Sequence, residues 1–238
     1  MNATNKTGRI VGALFLFIMI TWGVGFALID PMMRSSDYLS EIYPDRMKIM
    51  IGVFFELLEV GAVLMLAFIL YPLLKQRDER LAISYMGFRI FESMMLLAGI
   101  ISALSLITVS QDFIESGASS GMDHQTLGLI LRELRLNWSI HVLTFFHPLG
   151  AIPMYYFLYK AELVPKWISA WGLFAAILLF LDQMVLETFG LGLLKISDLD
   201  ITGVNMGLNE IVIGLWLIIK GFKPAPRITG FMSQESKA

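Results

Sequence analysis

Six apolar stretches, each close to the length of a membrane-spanning helix, recur along the chain. A helix needs about 20 mostly apolar residues to cross the hydrocarbon layer of a bilayer. Only 16% of the 238 residues are charged and 56% are hydrophobic, whereas soluble domains carry about 25% charged residues. We therefore predict an all-α integral membrane bundle of six transmembrane helices, built as one polytopic domain over residues 1–238. The predicted spans are residues 10–29, 49–71, 81–107, 138–159, 167–189 and 203–220.

Lysine and arginine are distributed unequally around these spans. If the N-terminus is cytoplasmic, eleven of the 18 basic residues lie on the cytoplasmic side, six lie on the outer side, and Arg89 lies within a span. Positive residues concentrate in cytoplasmic loops. We therefore predict that both termini are cytoplasmic.

The loop before the fourth span has its own helical pattern. Apolar residues recur on one face and charged residues lie away from it, at Leu127, Ile130, Leu131 and Leu134 against Arg132, Glu133 and Arg135. This pattern predicts a helix over about residues 124–136. The helix either lies in the outer membrane interface or extends the fourth span out of the membrane.

Two glutamates, Glu56 and Glu59, stand inside the apolar run "GVFFELLEVGAVLMLAFILY" of the second span. An ionised carboxylate at the centre of a membrane helix costs about 2.5–3.5 kcal/mol. Other spans carry ionisable residues at comparable depth, counted at about 1.5 Å rise per residue. We expect these side chains to face the interior of the bundle. The candidates for a polar, ion-handling core are Glu56, Glu59, Arg89, Glu92, His147, Asp182 and Glu210.

The charges of this set do not balance. Arg89 and Glu92 have the i, i+3 spacing of a structural ion pair on one helix face. The remaining carboxyl groups repel one another in a low dielectric, so some must carry protons unless a cation is bound. Glu187, near the outer end of the fifth span, is expected to be solvated.

The fourth span contains the segment "IHVLTFFHPLGAIP". Pro148 and Pro153 leave the carbonyl groups of Thr144 and Leu149 without their helical donors. We therefore predict a distorted helix with His147 beside the break. His147 is either an interhelical hydrogen-bond donor or a ligand.

Several kinds of chemistry are excluded or lack a motif. The chain has no Cys, which excludes disulfides, thiolate metal sites and thiol catalysis. It has no phosphate-binding loop, no nucleophile elbow and no basic face for nucleic acid. Carboxylate and imidazole ligands suit iron, manganese or zinc, so a divalent metal is a candidate cofactor. Its candidate ligands are Glu59, Glu92, His147 and Glu210.

Four segments resemble a known family. They are "RIVGALFLFIMI", "ERLAISYMGFRIFESMMLLAG", "FFHPLGAIPMYYFLYKAELVPKWISAWGLFA" and "NEIVIGLWLIIKGF". They look like the bacterial integral membrane proteins catalogued as domain of unknown function 4386. The resemblance covers nearly the whole chain and implies a helical, multi-pass protein of the bacterial plasma (inner) membrane. It implies no activity and no catalytic residues.

Three functions remain open from the sequence. The first is transport or conduction of protons or cations through the buried carboxyl groups, gated by the proline-broken helix. The second is an intramembrane metalloenzyme acting on a lipid-like substrate, in which Glu59, Glu92, His147 and either Asp182 or Glu210 hold the ion. The third is a non-catalytic accessory or binding subunit. Membrane lipids are the expected partners, and a homo-oligomer or a membrane-protein partner is left open.

Overall fold

The computed structural model of the chain describes residues 3–117, 122–186, 189, 195–196 and 199–223. Nearly all of them are helical, which confirms the predicted all-α class. The helices are α1 (Ala3–Met33), α2 (Tyr38–Glu41), α3 (Arg46–Lys75), α4 (Glu79–Glu115), α5 (Met122–Glu133), α6 (Ser139–Lys160), α7 (Lys166–Phe180) and α8 (Ile201–Lys220). Two π-helical turns, π1 (Leu134–Trp138) and π2 (Leu181–Leu186), follow α5 and α7. Two short antiparallel strands, β1 (Lys195–Ile196) and β2 (Leu199–Asp200), precede α8.

The six long helices form a closed ring in chain order. Each packs against the next, from α1 through α3, α4, α6 and α7 to α8, and α8 packs against α1. Neighbours run antiparallel, so the start of α1 and the end of α8 lie at one end of the bundle, which we call the terminal end. The opposite end, with α2 and α5, is the loop end. Side chains on the inner faces can therefore meet inside the ring.

Within the part of the chain that the structure describes, five helical segments have the length and apolar composition of membrane spans. They are Asn5–Met33, Arg46–Lys75, Glu79–Glu115, Lys166–Val185 and Ile201–Lys220. Helix α6 is not among them, because its two histidines and two prolines dilute its apolar character. The structure thus shows a multi-helical apolar protein with five candidate spans. The sixth crossing and the cytoplasmic position of both termini stay predictions.

Helix α5 continues into α6 through π1. Glu133 and Ser139, on either side of π1, both have ordinary right-handed helical angles. The predicted helix over residues 124–136 is therefore present as an extension of α6. Leu127 and Ile130, on its predicted apolar face, are each nearly half exposed. The placement of Arg135 away from the packed face was wrong, because Arg135 is buried.

The prolines of α6 do not break the helix. Residues Ser139–Lys160 form one α-helix that includes both Pro148 and Pro153. The irregular segment lies earlier, at π1, where the chain takes wider turns. The predicted break beside His147 was therefore wrong.

Small residues bring α1 and α8 together at the seam that closes the ring. A Cβ atom added at Gly12 would lie 2.6 Å from the Gly214 carbonyl oxygen and 2.7 Å from Leu217 Cβ. Contacts this short do not occur, so only glycine fits. Close approach through small residues is a common way to pack helices in membranes.

The apolar core is divided into two clusters. One lies toward the terminal end and includes Tyr85, Ala151 and Tyr155. The other lies toward the loop end and includes Ile100 and Leu136. On α4 and α6 the two clusters are separated by Arg89, Glu92 and His147. We call these residues, together with Glu59 on α3 and Glu210 on α8, the charged layer.

The seam between α1 and α8 gives a stability prediction. Gly12→Ala introduces overlap with α8 and is expected to lower the free energy of unfolding by about 1–3 kcal/mol. Gly23, on the same helix, has no neighbour within 4 Å of an added Cβ, so Gly23→Ala is the matched control. Because alanine favours helix, the control should be neutral or stabilising by up to about 1 kcal/mol. Unfolding in detergent measures both, and equal losses would contradict the packing.

Membrane topology can be mapped with single cysteines, because the chain has none of its own. We expect a membrane-impermeant maleimide to label Ser36→Cys in intact cells. Gln76→Cys and Lys160→Cys should react only after the membrane is permeabilised. All three positions are exposed. Labelling of Lys160→Cys from outside would show that α6 does not complete a sixth crossing.

Candidate functional site

Arg89, Glu92 and His147 form a hydrogen-bonded chain in the charged layer. Arg89 Nη1 donates to both carboxylate oxygens of Glu92, at 2.8 Å to Oε2 and 3.0 Å to Oε1. His147 Nδ1 lies 2.9 Å from the same Oε1. The ion pair predicted from the i, i+3 spacing on α4 is therefore present. His147 extends it to α6.

Glu210 approaches the other side of the imidazole from α8. Its Oε1 lies 3.7 Å from His147 Nε2, which is too long for a hydrogen bond. An ionised Glu92 can only accept, so Nδ1 of His147 carries the hydrogen of their bond. Nε2 is then the ring atom that can gain or lose a proton, and it faces Glu210.

A second charged group lies nearer the loop end. Both guanidinium nitrogens Nη1 and Nη2 of Arg135 bond the carboxylate of Glu56, with Nη1 3.0 Å from Oε2. Nη2 also lies 3.2 Å from Asp30 Oδ1. Arg34, whose side chain is 58% exposed, lies 3.6 Å from the other oxygen of Asp30. One arginine on π1 thus ties α1 and α3 to the helix that precedes α6.

The sequence interpretation missed Arg135 and Asp30. Both lie outside the predicted spans, so we interpreted them as loop residues at the outer surface. The spacing of residues could have indicated that Arg135 is buried. Gly128, Arg135 and Ser139 follow one another at intervals close to whole helical turns, so they share one helix face, and all three are buried. Gly99 makes room for the group, since a Cβ there would lie 3.2 Å from Arg135 Nη1.

Glu59 lies between the two groups and is paired with neither. It is 5% exposed, and its Oε2 is buried without a hydrogen-bond partner. Among the described residues, no Lys, Arg or His forms an ion pair with it. The charges that act on it most strongly belong to Glu56, Glu92, Arg135 and Glu210.

Asp182 is placed elsewhere, at the start of π2. Its Oδ2 accepts a hydrogen bond from Thr202 Oγ1 at 3.1 Å. The same hydroxyl lies 2.7 Å from Asp200 Oδ1, which caps the first turn of α8. The described contacts of Asp182 are with the start of α8 and do not include Glu92 or Glu210. Glu187 lies outside the described residues.

The four candidate metal ligands do not form a metal site in the part of the chain that the structure describes. No group of three or more His, Asp and Glu side chains is arranged there to hold an ion. Glu92 and His147 direct their bonding atoms at each other, and Arg89 supplies the positive charge that Glu92 needs. The predicted metal site at Glu59, Glu92, His147 and Glu210 therefore has no support in this geometry.

Two surface grooves lie away from the charged layer. One, of about 560 Å³, lies beside π1 and π2 and is lined in part by His141 and Gln183. The other, of about 430 Å³, lies between α4 and α6 and is lined in part by Arg80 and Tyr156. None of the central carboxyl groups lines either groove, so neither groove opens onto the charged layer.

Comparison with protein families agrees with this architecture. The model of the family described as Domain of unknown function (DUF4386) matches residues 10–221. The chain belongs to this family. Searches among curated proteins and among solved structures found no match. The function of this DUF4386 protein is therefore inferred from its own side chains.

Removing the buried arginine should be costly. Arg135→Met leaves Glu56 buried without its cation partner and Asp30 with only the exposed Arg34. Losing one member of a buried ion pair costs about 3–5 kcal/mol. Arg34→Met removes the exposed partner of the same Asp30 and should cost less than about 1 kcal/mol. Denaturant unfolding of the detergent-solubilised DUF4386 protein compares the two variants. Similar losses would mean that the group around Arg135 is not held together as described.

Proposed function

We propose that this DUF4386 protein takes up protons in the membrane and passes them between buried carboxyl groups, as a small transporter or conductor. Its expected location is the bacterial plasma (inner) membrane, with lipids around the apolar outer faces of the ring. The proposal rests on Glu59, a buried carboxyl group between the two charged groups that has no cation partner among the described residues. Asp182 also lacks a cation partner there, but it lies apart from these groups and accepts a hydrogen bond from Thr202.

Counting charges supports this role. Among the described residues, the charged layer and the group around Arg135 contain five carboxyl groups and two arginines. The carboxyl groups belong to Asp30, Glu56, Glu59, Glu92 and Glu210. Arg89 and Arg135 balance two of them, so three must be neutralised by a proton, by protonated His147 or by the exposed Arg34. A site with this excess binds protons whenever it is closed to water.

Glu59 is the member that the neighbouring groups cannot neutralise. Glu92 has Arg89, Glu56 has Arg135, and Glu210 faces His147. An ionised Glu59 would add an unpaired charge to a buried layer, which is costly. Binding one proton removes that cost. Glu59 is therefore the proposed proton carrier between the two charged groups.

His147 and Glu210 provide a second transfer step. A proton on Glu210 Oε1 can move to His147 Nε2 if the 3.7 Å gap closes to hydrogen-bond length. The resulting imidazolium is stabilised by Glu92 on its other nitrogen, and Glu210 becomes a carboxylate beside it. The step conserves charge within the layer.

Apolar clusters lie on both sides of the charged layer, so protons need a conformational change to reach it. The π-helical turn π1 carries Arg135 and joins α5 to α6. Such turns are frequent at functional sites. Movement at π1 would open the loop end of the layer.

A second function is supported by the paired charges themselves. Buried ion pairs such as Arg89–Glu92 and Arg135–Glu56 can fix the register of helices without any transport role. The chain would then be a binding or accessory subunit of a membrane complex. The metalloenzyme alternative is favoured by no observation on the described residues.

A flux measurement with a matched variant tests the proton proposal. Purified protein in vesicles with an internal pH-sensitive dye should relax an imposed pH difference faster than empty vesicles. Glu59→Gln removes the carrier and should slow this relaxation at least about tenfold, since each 1.4 kcal/mol on a barrier is a factor of ten. Glu79→Gln, which changes an exposed carboxylate paired with Lys75, should match the wild type.

Two results would count against proton transfer. Wild-type vesicles no faster than empty ones would favour the accessory-subunit function. A Glu59→Gln protein as fast as the wild type would remove Glu59 from the path.

A further inference from the structure

Four buried donor atoms lie together on the terminal-end side of the charged layer. They are the hydroxyl groups of Tyr85 and Tyr155 and the Nε and Nη2 atoms of Arg89. Both tyrosines are completely buried and Arg89 is 2% exposed. None of the four atoms has a hydrogen-bond partner among the described residues. A buried donor without a partner is costly, and native proteins rarely leave one.

The four atoms converge from two packed helices. Tyr85 and Arg89 lie on successive turns of α4, with the guanidinium carbon 5.7 Å from the centre of the Tyr85 ring. Tyr155 lies on α6, which packs against α4. Its phenol group interacts electrostatically with Glu210, Arg89 and Tyr85. Tyr85 and Arg89 therefore share one region, and Tyr155 lies on the helix that packs against it.

Glu210 is a carboxylate acceptor close to these donors, but none of the four atoms has a hydrogen bond to it among the described residues. Both oxygens of Glu92 already accept from Arg89 Nη1, and one of them also bonds His147. The Tyr85 hydroxyl lies close to Arg89, but the two do not have the geometry of a hydrogen bond. A small bridging group between these donors and Glu210 would supply the missing hydrogen bonds.

There is space for a small group beside Arg89. A Cβ atom added at Gly150 would lie 3.5 Å from Arg89 Nε and 3.4 Å from Phe88 Cβ, which is ordinary van der Waals contact. A water oxygen is about the size of a methyl group. On the other side of Tyr155 there is no such space, because a Cβ at Gly172 would overlap the ring. The Tyr155 ring is thus held in place, while the region next to Arg89 admits a small molecule.

We propose that Tyr85, Arg89 and Tyr155 form a binding site for buried water, a small neutral hydrogen-bond acceptor. An anion is disfavoured because Glu92 and Glu210 already give this side of the layer excess negative charge. A cation is disfavoured because the converging atoms are donors. A water molecule can accept one hydrogen bond from the guanidinium and one from a tyrosine hydroxyl while it donates to the other hydroxyl oxygen and to Glu210.

This site would also extend the proton path, a role that rests on the proposed function. Water between Tyr155 and Arg89 provides a hydrogen-bonded connection from Glu210 toward the terminal end. The water site itself does not depend on proton transport. Its test can therefore succeed or fail separately.

Stability measurements test whether the donors hold water. If the hydroxyl groups bind water, Tyr85→Phe and Tyr155→Phe should each lower the unfolding midpoint by about 2–4 °C. The double variant should lose less than the sum, because both residues share one ligand. Tyr159→Phe, at a partly exposed position on the same α6, is the control and should leave the midpoint unchanged. Midpoints that stay level or rise in both single variants would overturn the site.

A structure at a resolution that shows water gives the direct test. We expect density within hydrogen-bond distance of both hydroxyl groups and Arg89 Nε in the wild type, and its loss in Gly150→Ala, which fills the space. Direct bonds from the two hydroxyl groups to Glu210 without intervening density would overturn the proposal. Water density in a protein that carries no protons would uphold the site and remove only its role in the path.

Discussion

Charge buried in a low-dielectric interior needs a partner of opposite sign, and two arginines meet that need here. Arg89 comes from the same helix as its partner, Glu92. Arg135 comes from a π-helical turn and joins acids on two other helices. Removing either arginine would leave carboxylates in a setting where an isolated charge costs several kcal/mol. Each arginine therefore lies beside the acids that it neutralises, at its own depth in the ring.

The same pairing makes Glu59 exceptional. Among the described residues, every other carboxyl group of the charged layer faces a cation or an imidazole, while Glu59 lies between the paired groups with a buried oxygen that has no partner. A fixed counter-ion favours the ionised state of a carboxylate, and no described counter-ion does this for Glu59. The two paired groups therefore serve as a rigid frame for one responsive acid.

The sequence predicted the parts of this arrangement that depend on local spacing. The long apolar runs predict helices of membrane-spanning length. The i, i+3 spacing of Arg89 and Glu92 on one helix face predicts their ion pair. The partners that come together across the ring could not be predicted in the same way. Arg135 sits in a stretch that hydropathy treats as a loop, and its acids are 79 and 105 residues away along the chain. The spacing of Gly128, Arg135 and Ser139 indicates which face is buried, but a π-helical turn adds a residue without changing composition, so the sequence does not reveal the turn itself. The predicted helix break at Pro148 and Pro153 was wrong because of tertiary packing. Helix α6 packs against α4 and α7 on either side, and this packing supports it although each proline lacks a backbone N–H donor.

The long separation between Arg135 and its acids has a consequence for biosynthesis. A ribosome delivers α1 and α3, with Asp30 and Glu56, well before it delivers the arginine that neutralises them. During that interval Glu56 lacks the arginine that pairs with it in the folded chain, and Asp30 has only Arg34. The pairing of both acids with Arg135 can form only after the segment before α6 emerges. Membrane insertion of this chain is therefore expected to finish late, in a step governed by one residue more than halfway along it.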